Sequence, residues 1–335
     1  MFIDKGEDNM KKQNNEKTLD VTIVTINWNV TNKLQKCIDS VLDTCKDIHY
    51  EMFIIDNNSQ DMDFDEVIRK YSKYKQLKFI KNDKNEGALA LNKIQNQISG
   101  RYLLILGPDT ILKKNTVREL IKFMDSKADA GAATGKLLNP DGSPQLYYYR
   151  FWNISMVFYV DNIVGQMIDR FLFSYKKLRY YFGYDLDVSS IIEIEQPPGA
   201  CLILRPELVL EDGYIIDPNF PFYYNDVDLC KRIWKKGYKI YLVPSAEVIH
   251  DHGSSFKKAD PTWKIKEYVK SQIKYFKKHH KGKVWLLKTM IIINYLILIG
   301  ISMLLTIYPK RKHSDVSLKE KIKNMLWIIW GVLIW

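Results

Sequence analysis

The sequence predicts an α/β fold, a sheet of buried strands flanked by helices, and three observations carry that expectation. Nearly continuous β-branched and apolar runs recur at 21–27 (VTIVTIN), 51–56 (EMFIID) and 101–106 (RYLLIL), the pattern of strands covered on both faces. Segments with apolar residues at helical spacing lie between them, so strand, helix and strand alternate as in a βαβ unit. The runs end in or lead to Asn27, Asp56 and Asp109, and an open α/β sheet binds ligands at the carboxyl ends of its strands.

The first helix, 32–45, is carried by Leu34, Cys37, Ile38, Val41, Leu42 and Cys45 on one face. LKFIKN (77–82) is a further strand and 88–98 a further helix, and the connection GKLLNPDGSPQ (135–145) closes the first half. From 147 to 184, fourteen of thirty-eight residues are aromatic, which suits a helical subdomain with an aromatic core or an acceptor or membrane surface. Beyond it, PPGACLILRPELV reads as a strand and turn, and PFYYNDVDLCKRIWKKG as a polar-edged helix. YKIYLVP and EVIHDHGSS read as two short strands and a loop.

With 335 residues, 46% hydrophobic and 27% charged, the chain is neither disordered nor polytopic over most of its length. Four cysteines without a CxxC pair exclude a disulfide scaffold or zinc ribbon and suggest reduced, buried thiols in the cytosol. The net charge of +11 is concentrated, since ten lysines between Lys257 and Lys283 face only Asp260 and Glu267. Within that run, Ile265, Tyr268, Val269, Ile273 and Phe276 form a stripe with lysines opposite, an amphipathic helix suited to a membrane surface.

Twenty uncharged residues follow at 289–308, long enough to cross a bilayer with the lysine-rich flank on the cytoplasmic side. A shorter apolar stretch, 325–335, with Trp327, Trp330 and Trp335, suits the interface, a re-entrant segment or part of a longer helix. Segment 1–20 is polar, with no apolar signal region, which places the main domain in the cytosol at the cell membrane. The expected organisation is a polar tail (1–20), a catalytic domain (21–256) with an aromatic-rich insertion (147–190), a basic amphipathic helix (257–283), and a transmembrane or membrane-associated helical tail (284–335).

No GxGxxG follows the first strand and no GxxxxGK[ST] occurs, so the usual phosphate-binding glycine loops are missing. A divalent metal held by carboxylate and imidazole is the obvious substitute, and Asp109 and His250 are ligand types for Mn²⁺ or Mg²⁺. Either residue alone would more often be structural.

VTIVTIN (21–27), DNNS (56–59), NEGALALN (85–92), GPDT (107–110), LLNPDGS (137–143), GACLILR (199–205), NDVDLCKR (225–232) and HDHGSS (250–255) follow one another in that order, and together these motifs resemble those of the inverting GT-A fold glycosyltransferases of family two, in particular the rhamnosyltransferase-like branch, over about 21–255. The matching residues are VTIVTIN before Trp28 and Asn29, then Asp56, Asn57, Asn58 and Ser59, then Asn85, Gly87 and Asn92 in NEGALALN. Gly107, Pro108, Asp109 and Thr110 stand at the metal motif, followed by LLNPDGS (137–143) and GACLILR (199–205). Asn225, Asp226, Val227, Asp228, Leu229, Cys230 and Arg232 match the base-bearing motif, and His250, Gly253 and Ser255 the closing HxxGxS.

The resemblance implies a GT-A, Rossmann-like mixed sheet and the following roles. Asp56 reads the imide edge of a pyrimidine base, flanked by Thr25 to Asn27. Asn58, Asn85, Gly87 and Asn92 complete the donor side with Asp109. Asp109 and His250 hold the metal against the diphosphate. Asp226 is the general base, with Gly199, Ala200, Asn225 and Asp228 on the acceptor side, and configuration inverts. Because a nucleoside diphosphate leaves as an anion, one base suffices where glycosidases use two carboxyls.

Asp228 and Arg232 are expected to orient Asp226, or to be an i, i+4 pair on a surface helix. Two positions depart from the pattern. Gly107 stands where an acidic or amide residue is usual, leaving Asp109 as the only carboxylate there, and Asn225 replaces the acidic neighbour of the base, which keeps the Asp226 pKa lower than a like-charged pair would have. His252 is a competing ligand, whereas His49, His279 and His280 are expected to be solvated or at headgroups.

The expected function is therefore a membrane-attached transferase moving a sugar from a nucleotide diphosphate, dTDP-rhamnose or a UDP-hexose, to a lipid-linked saccharide in cell-surface polysaccharide synthesis. A silent nucleotide-sugar-binding scaffold, motivated by Gly107 and Asn225, is the alternative. A nucleic-acid binder rests only on the lysine run, for which anionic lipid is the simpler partner.

Overall fold

A computed structural model describes residues 19–251, 260–305 and 317–335. The first half runs β1 (Leu19–Asn27), α1 (Thr31–Thr44), β2 (Tyr50–Asp56), α2 (Phe64–Tyr71), β3 (Leu77–Lys81), a 3₁₀ helix (Gly87–Gln97), β4 (Gly100–Leu106), β5 (Thr110–Leu112), α3 (Thr116–Ser126) and β6 (Ala130–Leu138). Next come α4 (Ile154–Met156), a π turn (Val157–Asp161), α5 (Ile163–Leu172), α6 (Lys176–Tyr181), β7 (Ile192–Ile194), β8 (Cys201–Leu204), α7 (Glu207–Leu210), α8 (Asn225–Lys235) and β9 (Lys239–His250). Three helices follow, α9 (Pro261–His279), α10 (Val284–Leu305) and α11 (Leu318–Ile334).

The strands form one mixed sheet in the order β3-β2-β1-β4-β8-β6-β9-β5, with β7 also on β9. β1, β2, β3 and β4 pair in parallel, and the antiparallel β8 joins them to β6. Two pairings place the site. Asn27 lies opposite Asp56 across β1 and β2, and Thr110 lies opposite His250 across β5 and β9, which brings the neighbouring Asp109 beside that histidine.

Helix α1 buries Leu34, Cys37, Ile38 and Val41 against the sheet, the face its spacing predicts, and all four cysteines are free and buried. Three boundaries differ from the sequence reading. Gly135 to Leu138 continue β6 instead of opening the connection. The two strands expected after 238 are one strand, β9, which absorbs its irregularity in a register shift against β6. The segment read as a helix over 88–98 winds as 3₁₀.

The amphipathic stripe requires a correction. Val269, Ile273 and Phe276 of α9 are buried with Phe220, Tyr224 and Val227 from the catalytic side and Leu287, Ile291, Ile328 and Val332 from α10 and α11. Burial of this stripe in a third core removes it from any membrane surface, leaving Ile265 as its exposed member.

Candidate active site

Asn27 and Asp56 form the buried base of the first site loop. Asn27 Nδ2 donates to Asp56 Oδ1 at 2.8 Å, Thr31 Oγ1 at 2.9 Å and Ser59 Oγ at 3.0 Å, and the Ser59 amide donates to Asp56 Oδ2 at 3.0 Å. Asn27 is fully buried, so its side chain braces the loop instead of facing a donor. Thr25 Oγ1 is buried without a partner among the described residues. Asn58, exposed and at φ +58°, turns the loop and donates to the Asp83 carbonyl.

The Asn85–Gly87–Asn92 box acts largely through the fold. Asn85 Oδ1 accepts from Gly87 N and Asn57 Nδ2. Gly87 has φ +59°, and a Cβ there would lie 2.2 Å from the Pro221 carbonyl, to which Ala88 N donates at 2.7 Å. Asn92 accepts from the amides of Ile215 and Ile216 and donates to the Ile216 carbonyl. The sequence reading put Asn92 with the donor; its amide is instead committed to the segment leading to the base.

That segment ends in Tyr224, Asn225 and Asp226. Tyr224 caps α8 at φ +64°, a left-handed conformation that an aromatic residue adopts only when its surroundings enforce it. Here it is enclosed by Trp152, Tyr268 and Tyr275. Asn225 takes over the bracing an acidic neighbour could not supply, donating to the Phe222 carbonyl and accepting from Asp226 N. Burial raises the Asp226 carboxyl pKa above its ordinary value, partly offset by the hydrogen bond from the Val227 amide. Such a shift suits a group that must take a proton near neutral pH.

A Cβ on Gly199 would lie 3.8 Å from Asp226 Cβ, and the next residue, Ala200, reaches the second acidic loop. The Ala200 carbonyl accepts from Gly107 N at 2.8 Å. A Cβ on Gly107 would meet Asp109 Oδ1 at 3.1 Å and the Ala200 carbonyl at 3.4 Å, so the missing side chain leaves room for the Asp109 carboxylate. Gly107, Pro108, Gly199, Asn225 and Asp226 line one cavity of about 140 Å³, with apolar residues of β1 and β4 as its floor.

Asp109 Oδ1 stands 3.7 Å from His250 Nε2, both side chains largely buried. Gln145 Nε2 donates to the His250 and Asn139 oxygens, so Gln145 Oε1 is the atom facing His250 Nδ1 at 2.9 Å. The network therefore places a ring proton on Nδ1, so that in a neutral imidazole the nitrogen facing the carboxylate, Nε2, would present a lone pair. A lone pair and a carboxylate facing each other at that separation fit a divalent cation. Among the described residues no cluster of three or more His, Cys, Asp or Glu side chains is arranged for a metal. Gln145 and Lys33, which pairs with Asp251 beside His250, carried no motif signal. His252, Gly253 and Ser255 lie outside the described residues.

Asp228 overturns the surface-helix alternative. It is fully buried, paired with Arg232 Nε at 3.0 Å, Lys278 Nζ at 2.7 Å and His279 Nε2 at 2.7 Å. His279, expected at solvent or headgroups, has its side chain out of solvent, and His280 faces the Trp152 carbonyl at 3.0 Å. Two residues from Asp226, Asp228 points into protein and acts as a brace instead of an acceptor contact.

Residues 22–177 match the model of glycosyl transferase family 2. Over 127 residues the chain is 31% identical to the putative teichuronic acid biosynthesis glycosyltransferase TuaG of Bacillus subtilis, covering 37% of this chain and 50% of that protein. It is 25% identical over 179 residues to the rhamnosyltransferase WbbL of Escherichia coli, covering 52% and 61%. The chain thus spans about half the length of these curated relatives.

Among solved structures, GalNAc-T7 with UDP, GalNAc and Mn²⁺ superposes with a TM-score of 0.57 at 15% identity, over 95% of this chain and 57% of that one. TarS of S. aureus in complex with UDP-GlcNAc gives 0.50 at 14% identity, over 94% and 72%. The α/β mixed sheet is GT-A-like, as the sequence predicts.

Proposed function

We propose that the chain is an inverting glycosyltransferase that moves a sugar from a pyrimidine nucleoside diphosphate to a hydroxyl of a lipid-linked saccharide in cell-surface polysaccharide synthesis. The observation that carries it is one cavity lined by Gly199, Asn225 and Asp226 together with Gly107 and Pro108 of the loop that leads into Asp109. The proposed base and the loop that bears Asp109 thereby meet at one cavity.

Asp226 accepts the acceptor hydroxyl proton as that oxygen bonds to the anomeric carbon; the bond from that carbon to the diphosphate breaks, and the nucleotide leaves with the electron pair. Attack from the face opposite the nucleotide inverts configuration, and a single carboxylate suffices because the leaving group is already an anion. Asp109 and His250 are the residues that would hold Mn²⁺ or Mg²⁺, which supplies positive charge to the diphosphate when bound. Asp56 lies at the base of the loop suited to the nucleotide base. The names of TuaG and WbbL support a polysaccharide acceptor and a rhamnosyl donor.

The test is release of nucleoside diphosphate from dTDP-rhamnose and UDP-hexoses in the presence of membrane glycolipid. Acceptor-dependent release that Asp226→Asn abolishes supports the reading. Donor binding without release under any acceptor condition returns the protein to a silent scaffold.

A further inference from the structure

Helix α10 is long and apolar enough to cross a membrane, at 22 residues or about 33 Å. Its packing tells against crossing. Leu287 and Ile291 are buried against α9 and α11. Farther along, Asn162 Nδ2 donates to the Met290 carbonyl, and Asn294 Oδ1 accepts from Ile163 N at 2.9 Å while its Nδ2 donates to the Asp161 carbonyl. The helix therefore doubles back along the α9 side of the catalytic domain as far as Asn294. Beyond Asn294 the described part of the helix continues for 11 residues to Leu305, about 16 Å, and α11 packs back along α10.

The outward surface is nevertheless built for lipid. Helix α5, tied to the middle of α10, exposes Val164, Met167 and Phe171 at helical spacing. Adjacent to it, α10 exposes Leu296 and Leu304, and α11, packed along α10, exposes Trp330. The lysines of α9 flank these helices, with Lys266 Nζ 3.8 Å from the Trp327 ring centroid, the pairing of basic and indole groups that suits an anionic headgroup layer.

We propose that α5, α10 and α11 seat the protein in one leaflet of an anionic bilayer, lying in its plane, with both ends of α10 on the side of the catalytic domain. An apolar helix with one face on protein and the other on lipid needs no crossing to satisfy its composition.

The test uses the full chain in sealed membrane vesicles of both orientations and a membrane-impermeant maleimide. The four native cysteines are buried, so Lys281→Cys and Lys319→Cys, at exposed positions before α10 and at the start of α11, can be read against a low background. In-plane seating predicts that both are labelled from the face carrying the catalytic domain and neither from the other. Labelling of Lys319→Cys only from the opposite face shows that α10 crosses and overturns the proposal. A second arm measures retention of the purified full chain on vesicles of equal parts phosphatidylcholine and phosphatidylglycerol, where Phe171→Glu with Leu172→Glu should reduce the bound fraction several-fold. Unchanged retention, or failure of the native chain to bind with dimerisation in its place, also overturns it. Both readouts are independent of turnover.

Discussion

His279 Nε2 lies 2.7 Å from Asp228 Oδ1, joining α8, which carries Asp226, to α9, which leads to α10 and α11. Lys278 bridges the same carboxylate to Asp217, and Arg232 bridges it to Asp212. Burial alone would raise Asp228, but the hydrogen bonds from His279 and Lys278 outweigh it and hold the carboxyl below its ordinary value. Asp228→Ala removes the buried carboxylate that Arg232, Lys278 and His279 share and should cost about 3–5 kcal/mol, read by urea unfolding. A loss under 1 kcal/mol contradicts a buried role.

Asp226→Asn should lower turnover by about 10²- to 10⁴-fold while nucleotide binding stays within experimental scatter, because the base acts on the acceptor. With Asp226 as the proposed base, turnover of the native protein should rise with pH as the carboxyl deprotonates. Since burial raises that pKa, the acid limb should lie above the ordinary carboxylate range; a limb at or below it contradicts the assignment.

Gln145→Ala frees the His250 ring that it orients. By the usual effect of removing a hydrogen-bonded support from a metal ligand, the Mn²⁺ concentration needed for half-maximal nucleotide binding should rise about 10- to 100-fold. Circular dichroism should be unaltered, and an unchanged Mn²⁺ dependence shows that the ring does not act as a ligand.

Gly87→Ala forces a side chain into a left-handed turn and against the Pro221 carbonyl. The expected result is a stability loss of about 1 kcal/mol or more together with reduced turnover, because the displaced strand of chain carries Asp226. Native stability and activity in the variant would show that the contact is dispensable.

Burial pushes Asp161 up to about 6, although Tyr268 and Gln272 both donate to its Oδ2. A folded pKa above the unfolded one gives a stability contribution that is full below the unfolded pKa and is lost as pH rises through about 6. Asp161→Asn keeps an oxygen for both donors and should stabilise the protein by about 1–3 kcal/mol at pH 8, with little gain at pH 4. Equal gains at both pH values contradict this origin.

Much of the α/β core was legible because buried parallel strands and one-sided helices leave direct periodic signals, as in 21–27 and 32–45. The site was legible as residue types at strand ends, but not as roles. Asn92 and Gly87 sit in a motif, yet their contacts are with Ile215, Ile216 and Pro221, more than 100 residues away, a separation that no local pattern encodes. The lysine-rich helix misled for a related reason. A stripe of Val269, Ile273 and Phe276 fits a membrane or a protein core equally well, and only the partners Phe220, Leu287 and Val332 decide. Gln145 left no trace at all, since its task depends on a neighbour brought close by the pairing of β6 and β9.

The most direct measurement is calorimetry of dTDP, UDP and GDP binding to detergent-solubilised protein, each with and without Mn²⁺, alongside Asp109→Ala. A pyrimidine nucleotide-sugar transferase predicts Mn²⁺-dependent binding of dTDP or UDP, weaker binding of GDP, and loss of the Mn²⁺ dependence in Asp109→Ala. Absence of binding by all three nucleotides in folded protein would contradict the account at its centre.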